Sequence, residues 1–124
     1  MNIVHFTTGR VNPAAAKVGL VNVIYWLADA QAKAGHHVSV VVCPVKRDYE
    51  NATQAAFEIR EYPYSILGGM FVEKQLLSDI QLGSLKIDIA HLHGVWNMHM
   101  AAIGSALYKL GIPYVVSSHG SFAP

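Results

Sequence analysis

Apolar residues along this chain recur at two periods, and the switches between them divide it into alternating strands and helices. Residues 2 to 7, Asn-Ile-Val-His-Phe-Thr, form a β-rich run that ends in Thr8-Gly9, so a strand enters a loop there. From Gly19 to Ala34 the spacing predicts a helix with Leu20, Val23, Ile24, Leu27 and Ala28 near one face, Lys33 in its last turn and Gly35 as its cap. Trp26 shares a stripe with Asn22, Asp29 and Lys33, which makes it a candidate exposed aromatic marking a contact surface, with a ring tucked against a neighbouring loop as the alternative. Residues 38 to 43, Val-Ser-Val-Val-Val-Cys, are nearly continuously apolar and close at Pro44, the pattern of a parallel strand covered on both faces. Residues 46 to 54 hold the only dense charge cluster and read as a solvated loop.

The second half repeats the alternation. Residues 56 to 62 alternate apolar and polar before Pro63, as a half-exposed edge strand does. Residues 70 to 82 predict a helix with Phe71, Leu76, Leu77 and Ile80 inward. Residues 86 to 93 form a strand that stops at Gly94, after which Trp96, Met100, Ile103, Leu107 and Leu110 mark one helical face capped by Gly111. Residues 113 to 118 are the fifth strand. Such alternation predicts right-handed βαβ units, an α/β Rossmann-like three-layer sandwich and a parallel sheet in the order 3-2-1-4-5. No helix follows the fifth strand, and residues 110 to 124 carry no charged side chain. That ending favours a truncated larger protein, and it favours self-association through the uncovered surface.

Composition narrows the function classes. Nine Lys and Arg against eight Asp and Glu leave a formal charge of +1, too little to attract nucleic acid. Hydrophobic residues make up 52% and charged residues 14%, which excludes a disordered chain. The single Cys43 forms no internal disulfide, and Met-Asn-Ile-Val-His lacks the basic segment and apolar core of a secretory signal, so the cytoplasm is the default compartment. The stretch Ile89 to Tyr108 has no Asp, Glu, Lys or Arg, but His91, His93, Gly94, Asn97 and His99 interrupt it, and it reads as a strand followed by a helix rather than a membrane span.

Candidate chemistry gathers at the carboxyl ends of the strands, where open parallel sheets bind ligands. Thr7, Thr8 and Gly9 end the first strand, His91, His93 and Gly94 the fourth, and Ser117, Ser118, His119 and Gly120 the fifth. Glycines and hydroxyl residues after strands are also ordinary turn formers. His91 and His93 are two apart and face the same side of the sheet, and His119 can join them from the neighbouring strand. Three imidazoles would make a zinc site thinkable, yet no Cys or carboxylate is placed to complete a shell, and no metal is assigned. His5 reads as a core residue, and His36, His37 and His99 as surface residues. The loop before Gly19 matches neither G-x-G-x-x-G nor G-x-x-x-x-G-K-S/T, and Ser118 lacks the G-x-S-x-G elbow, so a dinucleotide dehydrogenase and a serine hydrolase are disfavoured.

Three ordered segments resemble the amino-terminal half of glycosyltransferase family 4. Residues 19 to 36, Gly-Leu-Val-Asn-Val-Ile-Tyr-Trp-Leu-Ala-Asp-Ala-Gln-Ala-Lys-Ala-Gly-His, resemble its G-G-V-E-R followed by a helix ending in G-H. Residues 87 to 96, Ile-Asp-Ile-Ala-His-Leu-His-Gly-Val-Trp, resemble D-I-V-H-x-H-G-x-W, and residues 111 to 120, Gly-Ile-Pro-Tyr-Val-Val-Ser-Ser-His-Gly, resemble G-I-P-Y-V-V-S-x-H-G. The likeness spans nearly all of residues 1 to 124.

The resemblance implies one half of a two-domain GT-B fold and a retaining transfer of a sugar from a nucleotide-sugar donor to a saccharide or lipid-linked acceptor, as in surface or exopolysaccharide assembly. It implies that the donor binds mainly to a carboxyl-terminal domain absent from residues 1 to 124, that no cofactor takes part, and that the protein works in the cytoplasm, peripheral to the inner face of the membrane. By the same resemblance His119 is catalytic, Gly19 approaches the donor diphosphate, and His93, Gly94, Trp96 and Gly120 line the acceptor or sugar side. The chain departs from the pattern at Val18, where the first paired glycine stands, and at Val21-Asn22, where Glu-Arg stands. Those departures keep a second expectation open, a non-catalytic Rossmann-like binding or interaction module.

Overall fold

The computed structural model describes residues 1–8, 19–43, 55–62, 74–94 and 98–118. In chain order they form β1 (Asn2–Thr7), α1 (Gly19–Lys33), β2 (His37–Val42), β3 (Glu58–Glu61), α2 (Lys74–Gln81), β4 (Ile89–His93), α3 (Met98–Lys109) and β5 (Tyr114–Ser117). The five strands make one sheet in the order β3-β2-β1-β4-β5, and each adjacent pair is parallel. This is the expected α/β Rossmann-like architecture, with the change of direction between β1 and β4. The charge cluster at 46–54 and the expected start of the second helix at residues 70–73 lie outside the described residues.

Alternation along the central strands distributes side chains between two cores. Val4, Phe6, Val41, Ala90 and Leu92 pack with Leu76 and Ile80 of α2 and with Met100, Ile103 and Leu107 of α3. On the opposite face Ile3, Val38, Val40 and Val42 pack with Ile24 and Ala28 of α1 and with Phe57. No helix among the described residues is long and apolar enough to cross a membrane, and residues 89–108 divide into β4 and α3 as their pattern predicts.

Several element boundaries and faces differ from the sequence reading. β4 starts at Ile89 rather than residue 86, and just before it the Asp88 side chain takes the Asn2 N–H at 2.6 Å, where a strand partner would offer a main-chain carbonyl, while the Asp88 N–H donates to the Asn2 carbonyl. Val23, expected inward, is exposed, since the line of α1 against the sheet runs through Ile24 and Ala28 and Val23 stands a step of about 100° away. Leu110 is also exposed, because it follows the last helical residue and sits in the turn that Gly111 closes. His99, read as a surface residue, is buried; it precedes Ile103 by four residues and therefore shares that helix face. Trp26 is exposed, as its stripe predicts.

Candidate functional site

The direction of each connection places the candidate residues at one edge of the sheet. α1 ends in a Schellman turn, in which Gly35 N–H bonds the Ala32 carbonyl and His36 N–H bonds that of Gln31. His37 then donates to the Met1 carbonyl, so the end of α1 lies at the amino edge. Its first residue, Gly19, therefore lies toward the carboxyl edge, about 18 Å along the helix axis from Gln31. Register brings Thr7, His93 and Ser117 to the same edge, where Cys43 N–H donates to the Thr7 carbonyl and Gly94 N–H to that of Ser117. Gly94 has φ +99°, a left-handed backbone that a side chain would strain, so the chain leaves β4 by a turn that glycine allows.

Three histidines meet just below this edge, on the α1 side of the sheet. His91 and His93 stack with ring centroids 4.0 Å apart, as their two-residue spacing predicts. The third ring is His5, which faces His91 across the β1–β4 pair and lies 5.2 Å from each of the other two rings. His5 is fully buried, which agrees with its reading as a core residue, but its neighbours are polar. The sequence signal for this meeting is weak: strand order makes β1 and β4 adjacent, yet no local pattern states that residue 5 pairs with residue 91.

Hydrogen bonding orders the rings. An amide oxygen can only accept, so His5 Nε2–H donates to Gln31 Oε1 at 2.7 Å. In neutral His5 the other nitrogen is then an acceptor, and His93 Nε2–H donates to His5 Nδ1 at 2.9 Å. Burial holds His5 below the ordinary imidazole value, with the Gln31 bond pulling the other way, and this keeps the ring neutral. His91 Nε2 lies 2.6 Å from Ser117 Oγ, linking the cluster to β5. One nitrogen from each of His5, His91 and His93 falls within 4.8 Å of the others, a donor set that can hold a metal ion.

Next to the cluster, on the other face, a cleft of about 240 Å³ lies between α3 and β5 and is lined by Leu92, Gly94, Met100, Gly104, Tyr114 and Val116. A second cavity of about 290 Å³ includes Asn2, His37, Ser39, Glu58 and Arg60 at the amino ends of the strands. There the polar groups bond one another, Arg60 to Glu58 at 3.1 Å and Ser39 to Glu58, and open parallel sheets bind ligands at the opposite edge. The carboxyl edge is the candidate site.

Of the residues singled out from sequence, the structure brings His93 and Gly94 together at that edge and places Gly19 at the start of α1. Trp96, His119 and Gly120 lie outside the described residues. Ser117, named from sequence among the residues that end the fifth strand, bonds His91, whereas Gln31, which orients His5, was not among the expected residues and only its place in the fold reveals it.

Fold and edge together define an open α/β domain of the kind that binds its ligand where the strand order reverses. The comparison with family models gives the narrower class: the model of Glycosyltransferase Family 4 matches residues 18–124, and the chain belongs to that family. Neither the curated proteins nor the solved structures compared with it give a match.

Proposed function

We propose that the chain supplies the acceptor-binding half of a retaining glycosyltransferase, which moves a sugar from a nucleotide-sugar donor to a saccharide or lipid-linked acceptor in surface or exopolysaccharide assembly. The observation that carries this reading is the family match over residues 18–124. The convergence of β1, β4 and β5 at one polar edge supports it. In this proposal His119, which follows Ser118 beyond β5, reaches the donor sugar, and Gly19 at the start of α1 approaches the diphosphate. His93, Gly94, Trp96 and Gly120 line the acceptor or sugar side.

Retaining transfer asks for stabilisation of a departing diphosphate more than for a strong protein nucleophile. Backbone N–H groups at a helix start and an imidazole are suited to that task. A further, nucleotide-binding domain holds most of the donor, no cofactor takes part in the transfer, and the enzyme works in the cytoplasm against the inner face of the membrane. A binding module without transfer chemistry is the second reading, and Val18 with Val21-Asn22 in place of the family's Gly and Glu-Arg is the observation that favours it.

The test uses the protein as its native source makes it, isolated and incubated with labelled nucleotide sugars and membrane-extracted acceptors. Transfer of label is expected, and His119→Ala lowers it about 100-fold or more while the circular dichroism spectrum stays unchanged. Absence of transfer with every donor supports the binding-module reading instead, and full activity of the variant removes His119 from the catalytic residues.

A further inference from the structure

The geometry points to a zinc site built by His5, His91 and His93, which clamps β1 to β4 beneath the carboxyl edge. This inference is argued separately from the glycosyltransferase reading, with which it shares His93, since the ion ties two strands together and no step of transfer is routed through it. Three imidazoles from rigid strands are a common donor set for zinc, with the fourth position left to water or another small ligand. Here all three come from the two central strands, and their nearest nitrogens already lie within 4.8 Å of one another. Tetrahedral nitrogens bound at about 2.0–2.1 Å stand roughly 3.4 Å apart, so the widest pair closes by at most about 1.4 Å, within reach of small ring rotations.

The outer contact of His5 matches what a zinc-bound imidazole requires. A metal-ligating histidine characteristically donates its other ring N–H to a carbonyl, and His5 does so to Gln31 Oε1, which turns Nδ1 toward the other two rings. The proton now on His93 Nε2 moves to Nδ1 through solvent when the metal takes its place, so the ring stays neutral and no net proton is released. Gln31 closes the cluster on the α1 side. On the β5 side Ser117 Oγ lies 2.6 Å from His91 Nε2, and because His91 is half-buried and its register partner Val115 half exposed, this is the side from which the ion enters and a small ligand takes the fourth position.

The experiment is a titration of the purified, chelator-stripped protein with Co2+ as the spectroscopic probe. His36 and His37 lie beside the amino terminus and offer a competing surface site, with Met1 N 3.4 Å from His36 Nδ1, so the starting protein carries His36→Gln and His37→Gln. The expected result is the visible absorption of a four- or five-coordinate nitrogen-ligated cobalt, saturating at one equivalent and displaced by Zn2+, with a rise in thermal midpoint. His91→Gln and His93→Gln each abolish the spectrum, and Gln31→Leu weakens binding about 10- to 100-fold. If His93→Gln does not fold, the half-buried His91→Gln decides. A hydrated six-coordinate cobalt spectrum in the starting protein, or a spectrum unchanged in His91→Gln, overturns the site.

Discussion

At the scale of single residues the chain shows how one side chain's chemistry depends on a partner remote in sequence. His5 and His93 are 88 positions apart, yet the tautomer of each follows from their shared hydrogen bond and from Gln31. Both His5 and His99 are held below the ordinary value of 6.5 by burial. In the unfolded chain they take up protons as the pH falls through about 6.5, while in the native state they do so only at lower pH, so the unfolded state binds more protons in between. Stability is therefore full above 6.5 and is lost as the pH falls below it, by up to about 1.4 kcal/mol per pH unit for His5. Denaturant unfolding of the metal-free protein from pH 7.5 to 5 checks this, and a flat profile would contradict it. In the same experiment His5→Gln should weaken the protein at neutral pH and flatten the profile. The facing of His91 and His93 was legible from their two-residue spacing. The entry of His5 was not, because strand register is a long-range property.

At the scale of elements the caps were the most readable feature. Gly35 and Gly111 were both placed after helices from sequence, and both close Schellman turns, Gly111 with φ +69° and open space where a Cβ would stand. Gly111→Ala therefore meets no clash and should cost about 1–2 kcal/mol from the left-handed backbone alone, measured as a fall in thermal midpoint. The end of β3 is tied to α2 by Tyr62, whose hydroxyl donates to Asp79 Oδ2 at 2.6 Å. Burial, and next the Asp79 bond, push the Tyr62 phenol up to about 12. A spectrophotometric titration should show Tyr62 ionising late, and Asp79→Asn should bring that group down. Helix faces were less readable than caps. Val23 and Leu110 are apolar and correctly spaced, but where a helix meets and leaves a sheet depends on the partner surface rather than on its own periodicity.

At the scale of the whole molecule, burial is graded across the sheet. β1 and β2 are buried along nearly their whole length, whereas Tyr114, Val115 and Val116 of β5 are 38%, 49% and 48% exposed, and β3 is exposed at both ends. Amide hydrogen exchange should follow that gradient, slowest in β1 and β2 and fastest in β5 and β3. Uniform protection from β3 to β5 in the 124-residue chain would mean that another surface covers the edges. The order of elements, the parallel sheet and the strand sequence 3-2-1-4-5 were all present in the one-dimensional pattern, as was the choice of the carboxyl edge as the candidate site. They follow from hydrophobic periods, caps and the handedness of βαβ units, which consecutive residues encode. Packing alone set the β1–β4 register that joins His5 to His91 and His93, the reach of Gln31 into that cluster and the burial of His99, because each requires contact between segments that no local run of residues specifies.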